Sequence, residues 1–138
     1  MKEYELEIAA LRKEIEQLKQ ELHKPIRRRL DDTRMAVVHK FTVGGTKGYL
    51  RVGLFEDGKI GELFINMSKS EDAGTWGCIG ILISMALQRG IPLEQITSKL
   101  MNTRFGANGV TSNPKIRMAT SVMDYIVKWM AQFEGRQT

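Results

Sequence analysis

A heptad pattern at the amino-terminal end constrains this chain more than any other feature. The parallel pairing of two such helices would place Glu7 opposite Arg12, a favourable g-to-e contact. Pro25 should end the helix, because the residue before a proline is pushed out of the helical region. We therefore predict an oligomerisation helix over residues 1–25, with a surface helix laid on its own domain as the alternative. The seam spacing of four and three residues is carried by Tyr4, Ile8, Leu11, Ile15, Leu18 and Leu22.

Residues 26–138 hold one further domain, and the 42% hydrophobic content of the chain is enough for an ordinary core. Cys78 is the single cysteine, which excludes an internal disulfide, and its apolar surroundings favour a buried core position. His23 and His39 are too far apart in sequence to suggest a zinc site. Neither a signal peptide nor an apolar stretch long enough for a bilayer is present, so we predict a cytoplasmic protein, in the host cytoplasm if the gene is viral.

Positive charge is concentrated in the second part of the chain. The first 24 residues carry five basic and six acidic residues, whereas the remainder carries 16 basic and 10 acidic residues, a net charge of +6. A basic domain favours an anionic partner such as a nucleotide, a phosphate or a nucleic acid, although any one cation can serve solubility alone.

From residue 36 the apolar pattern changes to a period of two, and strands are predicted over Ala36–Val43, 49–55 and Ile60–Met67. Gly44-Gly45-Thr46 and the Asp57-Gly58 turn join them into an antiparallel meander. Three helices follow. The first runs from a cap at Asp72 or Thr75 to residue 89, the second opens at Pro92, and the third is capped by Asn113 and opens at Pro114. Strands followed by helices indicate an α+β fold, here a meander packed against three helices.

The loop before the third helix is the candidate ligand site. It contains Arg104, Phe105 and Asn108, and the predicted first turn of the helix contains Lys115 and Arg117. Basic residues in a first turn oppose the helix dipole, and a bound phosphate would relieve that conflict. In one reading the cations hold a nucleotide phosphate while the aromatic ring stacks on a base. In the other the ring is core and the cations are solvated.

A second choice for the site is the basic cluster around Arg28, close to the exit of the first helix. Catalytic patterns are weak. Ser84 and Ser121 have no partner histidine by sequence, and the glycine-rich stretch at 44–48 lacks the strand–loop–helix setting of a phosphate loop. Asp31 and Asp32 fall on a predicted linker.

Several segments resemble the C-terminal accessory, TSCPD-type domain of vitamin B12-dependent ribonucleotide reductases. They are RRRL at 27–30, GYL and VGL within 48–54, GELFINMSK at 61–69, ALQRGIPLE at 86–94, TRF at 103–105 and SVMDYI at 121–126. The resemblance covers the domain in order and implies the α+β fold, without the radical or cobalamin chemistry of the reductase. Two departures stand out. Gly106 and Ala107 replace the Glu-Pro usual after Arg-Phe, and the Thr-Ser-Cys-Pro-Asp string is absent, so no thiol role is implied.

Because the helix leads straight into this domain, we expect the domain to stand alone. A free-standing, oligomerised domain of this size is also similar to the phage anti-Thoeris sponge proteins. That similarity implies a non-enzymatic homo-oligomer that sequesters a cyclic nucleotide signal, either of the cyclic ADP-ribose type or a cyclic oligonucleotide, without a cofactor. An accessory or regulatory domain of a B12-dependent ribonucleotide reductase is the alternative. Nucleic acid ranks below a nucleotide as the partner.

Overall fold

The computed structural model describes residues 2–23, 27–68 and 73–137. The α+β prediction is confirmed. The elements, in chain order, are α1 (Lys2–His23), β1 (Ala36–Val43), β2 (Thr46–Leu54), β3 (Ile60–Met67), α2 (Ala73–Gln88), α3 (Leu93–Leu100), β4 (Gly109–Val110), β5 (Met118–Ala119) and α4 (Val122–Gln137). No helix in the described part of the chain is both long and apolar enough to cross a membrane.

The three long strands form an antiparallel sheet in the order β1-β2-β3. Gly44 and Gly45 both have positive φ, at +55° and +87°, and so form the tight turn that joins β1 to β2. Leu50 pairs with Ile65 and Val52 pairs with Leu63, which places the predicted apolar positions of both strands on one face. That face is buried, and the opposite face is exposed along most of its length.

The core lies between the buried face and the helices. The Tyr125 ring of α4 stacks on the Phe41 ring of β1 at 4.8 Å, and both side chains are almost completely buried. Helix α3 packs on α4, and its Leu93, Ile96 and Leu100 side chains are partly buried against the core. The remaining core includes Val43, Leu50, Val52, Leu63, Ile65, Ile83, Leu87, Val122, Ile126 and Met130.

Helix α2 runs against β3, the edge of the sheet. Gly80 allows the close approach, because a Cβ there would lie 2.8 Å from the carbonyl oxygen of Leu63. The Ser84 hydroxyl accepts the Leu63 N–H at 2.8 Å, and the Gln88 side chain donates to the Gly61 carbonyl at 3.1 Å. Polar side chains of the helix therefore satisfy backbone groups that an edge strand would otherwise leave open.

The predicted start of the last helix is wrong. Asn113 caps a tight turn instead, in which its Oδ1 accepts the Lys115 N–H at 3.0 Å and its carbonyl accepts the Ile116 N–H at 3.0 Å. The chain then pairs β5 with β4 before α4 begins at Val122, one residue after Ser121. An Asn-Pro pair is compatible with a turn as well as with a helix start. The pairing of β4 with β5 favours the turn.

The other helix boundaries need smaller corrections. Thr75 lies inside α2 and is not its cap, and Pro92 occupies the position before the first residue of α3. Pro25 and Asp72, predicted to end one helix and to cap another, lie outside the described residues. Within the described residues α1 runs over Lys2–His23, and its seam is open to solvent, with Ile8, Leu11, Ile15 and Leu18 each 50–54% exposed.

Candidate functional site

Asp124 organises the loop that the sequence analysis selected. Its carboxylate is completely buried and accepts the N–H groups of Asn102 at 2.7 Å and Thr120 at 3.0 Å. The Lys128 ammonium, one helical turn later, donates to the same carboxylate at 3.0 Å. The Ser121 hydroxyl accepts the Asp124 N–H at 2.9 Å and caps α4. Both ends of the loop are thereby fastened to the first turn of α4.

These donors determine the charge of the carboxyl group. Burial raises the pKa of Asp124, but the two backbone N–H groups and the Lys128 ammonium outweigh it, so the pKa lies below its usual range. The side chain is therefore an anion at pH 7. Because this anion already occupies the positive end of α4, the phosphate that the sequence analysis placed at a helix start has no counterpart there.

Three of the predicted site residues do come together. Arg104, Phe105 and Asn108 line one cleft, which Met118 and Lys128 also line. The cleft has a volume of about 610 Å³, and its described lining contains no acidic side chain. The aromatic side chain of this cleft is neither buried in the core nor fully free to stack on a base, the two alternatives that the sequence left open. Phe105 is 49% exposed, and its ring stacks on the buried Trp76 ring at 5.9 Å.

Lys115, Arg117 and Arg28 lie elsewhere. Lys115 lines a second cleft of about 500 Å³, and Arg117 is exposed and lines neither cleft. Arg28 lines a third, where its guanidinium lies 3.9 Å from the Phe55 ring and 3.2 Å from Asp57. The predicted phosphate site shared by Arg104, Lys115 and Arg117 is thus not assembled. The reason is the later start of α4: Lys115 and Arg117 lie in the connection between β4 and β5, whereas Arg104 lies in the loop before β4.

The second cleft contains a polar network that sequence reasoning missed. His39 Nε2 lies 2.7 Å from the Tyr125 hydroxyl, which also receives a hydrogen bond from the Asn113 amide at 3.2 Å. The His39 ring stacks on Trp129 at 4.8 Å. Burial lowers the pKa of His39 and raises that of Tyr125, so both side chains are neutral at pH 7. Asn113, Tyr125 and Trp129 lie 74 to 90 positions after His39, and no local sequence pattern joins them to it.

Helix α2 exposes a broad apolar surface. Ile81 is 60% exposed, Leu82 is 64% exposed and Met85 is 56% exposed. Cys78 was predicted to be buried in the core, and that prediction is wrong, because the side chain is exposed. The helix is apolar on all sides, so its periodicity could not identify the face that Gly80 brings against the sheet. We call the exposed positions Cys78, Ile81, Leu82 and Met85 the α2 surface.

The described residues offer no catalytic constellation. They contain no group of His, Cys, Asp and Glu side chains that could hold a metal ion. Ser84 is hydrogen-bonded to the Leu63 backbone and to the Gly80 carbonyl, and Ser121 caps α4. These two hydroxyl groups therefore have structural partners and are not poised as nucleophiles.

Residues 16–134, which run from α1 into α4, match the TSCPD domain. The chain belongs to the TSCPD domain family. A vitamin B12-dependent ribonucleotide reductase of Rhodopirellula baltica is 46% identical over 124 residues, which is 88% of this TSCPD chain and 12% of the reductase. The enzyme of the same name from Streptomyces coelicolor is 40% identical over 125 residues, 89% of this chain and 13% of its own.

The TSCPD chain thus spans about an eighth of the length of these relatives. The recognition of an accessory domain of TSCPD type is confirmed. The prediction of a cyclic-nucleotide sponge is wrong, because the family match and these relatives point instead to the alternative, an accessory domain of a B12-dependent reductase. No solved structure matches the TSCPD chain significantly.

Proposed function

We propose that this chain is a non-catalytic accessory domain that binds the catalytic part of a vitamin B12-dependent ribonucleotide reductase. One observation carries the proposal: 46% identity to such a reductase extends over 88% of the chain, through the sheet and the helices alike. Catalysis would then reside in the reductase's remaining sequence, and this domain would act by docking. The cytoplasmic location predicted from the sequence belongs to the same proposal.

The α2 surface is the contact we assign to the reductase. Helix α2 contains no charged residue between Ala73 and Gln88, and its outer side exposes three large apolar side chains. A continuous apolar surface of this kind marks an interaction site, because an isolated domain would hold it in water at a free-energy cost. In the relatives the same domain is part of a chain about eight times longer, so catalytic sequence is available to cover this surface.

The experiment uses the Rhodopirellula baltica reductase shortened by the region that matches this chain. The 138-residue protein is added separately, and binding is measured by calorimetry alongside the rate of ribonucleotide reduction. We expect a saturable complex, a higher rate than the shortened reductase alone, and no product from the 138-residue protein by itself. Absence of a complex, or product formed by the 138-residue protein alone, contradicts the proposed function.

A matched pair of variants tests the surface. Leu82→Lys places a charge in the centre of the α2 surface and should weaken binding by at least about tenfold, as expected for a buried apolar contact worth roughly 1.4 kcal/mol or more. Met118→Lys is the control, because Met118 is similarly exposed, at 61%, and lies on β5. Equal binding by both variants would place the reductase contact outside α2.

A further inference from the structure

The sheet has a second face that no described element covers. We call it the open face; it is formed by side chains that alternate with the buried ones along β1, β2 and β3. Strand register places Val38, Arg51 and Phe64 in one row across the sheet, and Lys40, Tyr49 and Asn66 in the next.

Two aromatic rings lie on this face. Tyr49 on the central strand is 46% exposed, and Phe64 on β3 is 37% exposed. Tyr49 pairs with Asn66 and Phe64 pairs with Arg51, so the two rings are diagonal neighbours, roughly 7–8 Å apart at their Cα atoms. That spacing allows each ring to receive a separate base of an extended single strand, because bases splayed from a single strand stack on aromatic side chains.

Cations alternate with these rings. The Arg51 guanidinium lies 4.4 Å from the Phe64 ring centroid, and the Lys40 ammonium lies 5.9 Å from that of Tyr49. Lys47 adds a third exposed cation on β2. Glu62 is the acidic residue among the outward positions of the strands, and its carboxylate is neutralised by Arg34 at 2.7 Å. The net charge of the open face is therefore positive.

From this arrangement we propose that the open face binds single-stranded nucleic acid without sequence preference. Tyr49 and Phe64 stack on bases, while Lys40, Lys47 and Arg51 contact phosphates. Stacking is tolerant of sequence because every base has a π face, and the cations give the binding its salt dependence. A protein interface fits less well, because the centre of the face carries cations where a protein contact is depleted of charge. The open face adjoins the α2 surface that we assign to the reductase, because Phe64 and Asn66 line one cleft with Ile81 and Met85. Variants on the far side of the open face, at Tyr49 and Arg51, therefore separate this proposal from reductase binding.

The test is fluorescence anisotropy of a labelled oligothymidine with the full 138-residue protein, in low and high salt. A duplex of the same length serves as competitor. We expect saturable binding that weakens with added salt, and poor competition by the duplex, in which the base faces are covered. No binding in low salt, or equal competition by the duplex, overturns the proposal.

Aromatic variants separate stacking from general attraction to a basic protein. Tyr49→Ala and Phe64→Ala should each weaken oligothymidine binding by roughly five- to a hundredfold, the range measured for losing one stacked base. Val110→Ala is the control, because Val110 is 68% exposed and lies on β4, outside the open face. If all three variants bind alike, charge alone explains the binding and the proposal fails.

Charge variants keep the test decisive if an alanine in the sheet prevents folding. Arg51→Gln should weaken binding and reduce its salt dependence by about one counterion, whereas Arg89→Gln, at an exposed position just after α2 and outside the open face, should not. Circular dichroism confirms that each variant is folded. If Arg51→Gln and Tyr49→Ala weaken binding to the shortened reductase and leave oligothymidine binding unchanged, the open face is a protein interface and the proposal is overturned.

Discussion

Asp124 shows how a single buried charge determines the local structure of this domain. Its carboxylate receives three hydrogen bonds from groups that are separate in sequence, two of them from the backbone of the loop before α4. A buried anion is tolerated only when its acceptor sites are filled, and here the loop fills them. Asp124 therefore helps to hold the loop, with Asn102 at a φ of +63°, together with the hydrogen bonds that Thr103 makes with Ser121 and Thr120.

We predict that Asp124→Asn lowers the free energy of unfolding by about 2–3 kcal/mol at pH 7, because an amide cannot accept from both the Asn102 and the Thr120 N–H groups. The pKa of Asp124 is lower in the folded state than in the unfolded state. Its stabilisation is thus complete above the unfolded pKa of about 4 and is lost as the pH falls through the lower folded pKa. The difference between wild type and variant should shrink in that acidic range.

Urea unfolding between pH 7 and pH 3 measures this difference. Asp32→Asn, which changes an exposed carboxylate in the loop before β1, is the control and should alter stability by no more than about 0.5 kcal/mol. A constant difference between wild type and Asp124→Asn across the whole pH range would contradict the assigned ionisation.

At the scale of elements, the contact between α2 and β3 depends on the absence of a side chain. A Cβ at Gly80 would lie 2.8 Å from the Leu63 carbonyl oxygen, whereas one at Gly77, in the same helix, would meet no atom within 4 Å. The two glycines therefore make a matched pair that separates helix propensity from packing.

Gly80→Ala should destabilise the domain by about 1–3 kcal/mol, because the added methyl group forces α2 away from the sheet edge. It should also weaken the hydrogen bond from the Leu63 N–H to Ser84. Gly77→Ala should instead stabilise by about 0.5–1 kcal/mol, since alanine is the better helix former. Thermal unfolding of the two variants checks the signs, and a stabilising Gly80→Ala would show that α2 can shift without cost.

The sequence predicted the bounds of an element well where its local patterns all indicated the same start and end. The bounds of β1 and β3 agree with the predicted strands because alternation and turn glycines both specify them. The start of α4 had two competing signals, Asn113-Pro114 and Ser121 with Asp124 three residues later. Each resembles a helix start, and hairpin pairing and burial of the carboxylate favour the second.

The same distinction applies to the candidate site. Arg104, Phe105 and Asn108 line one cleft because they lie within five residues of one another in a single loop. Lys115 and Arg117 were assigned to the site because they fell in the first turn of the predicted helix. Since the helix begins later, they are not in its first turn. Period-two alternation identified the apolar face that the helices cover, but it could not place Lys40, Tyr49, Arg51 and Phe64 beside one another on the opposite face, because that arrangement depends on the strand register.

At the scale of the whole molecule, none of the other described elements covers the apolar seam of α1. All its described side chains from Glu3 to Leu22 are exposed, including the full heptad seam. A helix of 22 residues with an uncovered apolar seam gains little stability by itself, since most helical stability in proteins comes from packing of the apolar face. A second copy would cover the seam and align the flanking charges, and the pairing of α1 is our proposal for its role.

The last prediction tests that pairing. Leu11→Glu combined with Leu18→Glu puts two charges into the seam and should lower the subunit number measured by sedimentation velocity, because like charges at d positions face each other in a parallel pair. Leu6→Glu combined with Ala10→Glu is the matched control; both residues are exposed on the same helix and lie outside the seam. The control should keep the wild-type subunit number. If both double variants sediment like the wild type, assembly does not depend on α1, and the seam must be covered by something other than a second copy.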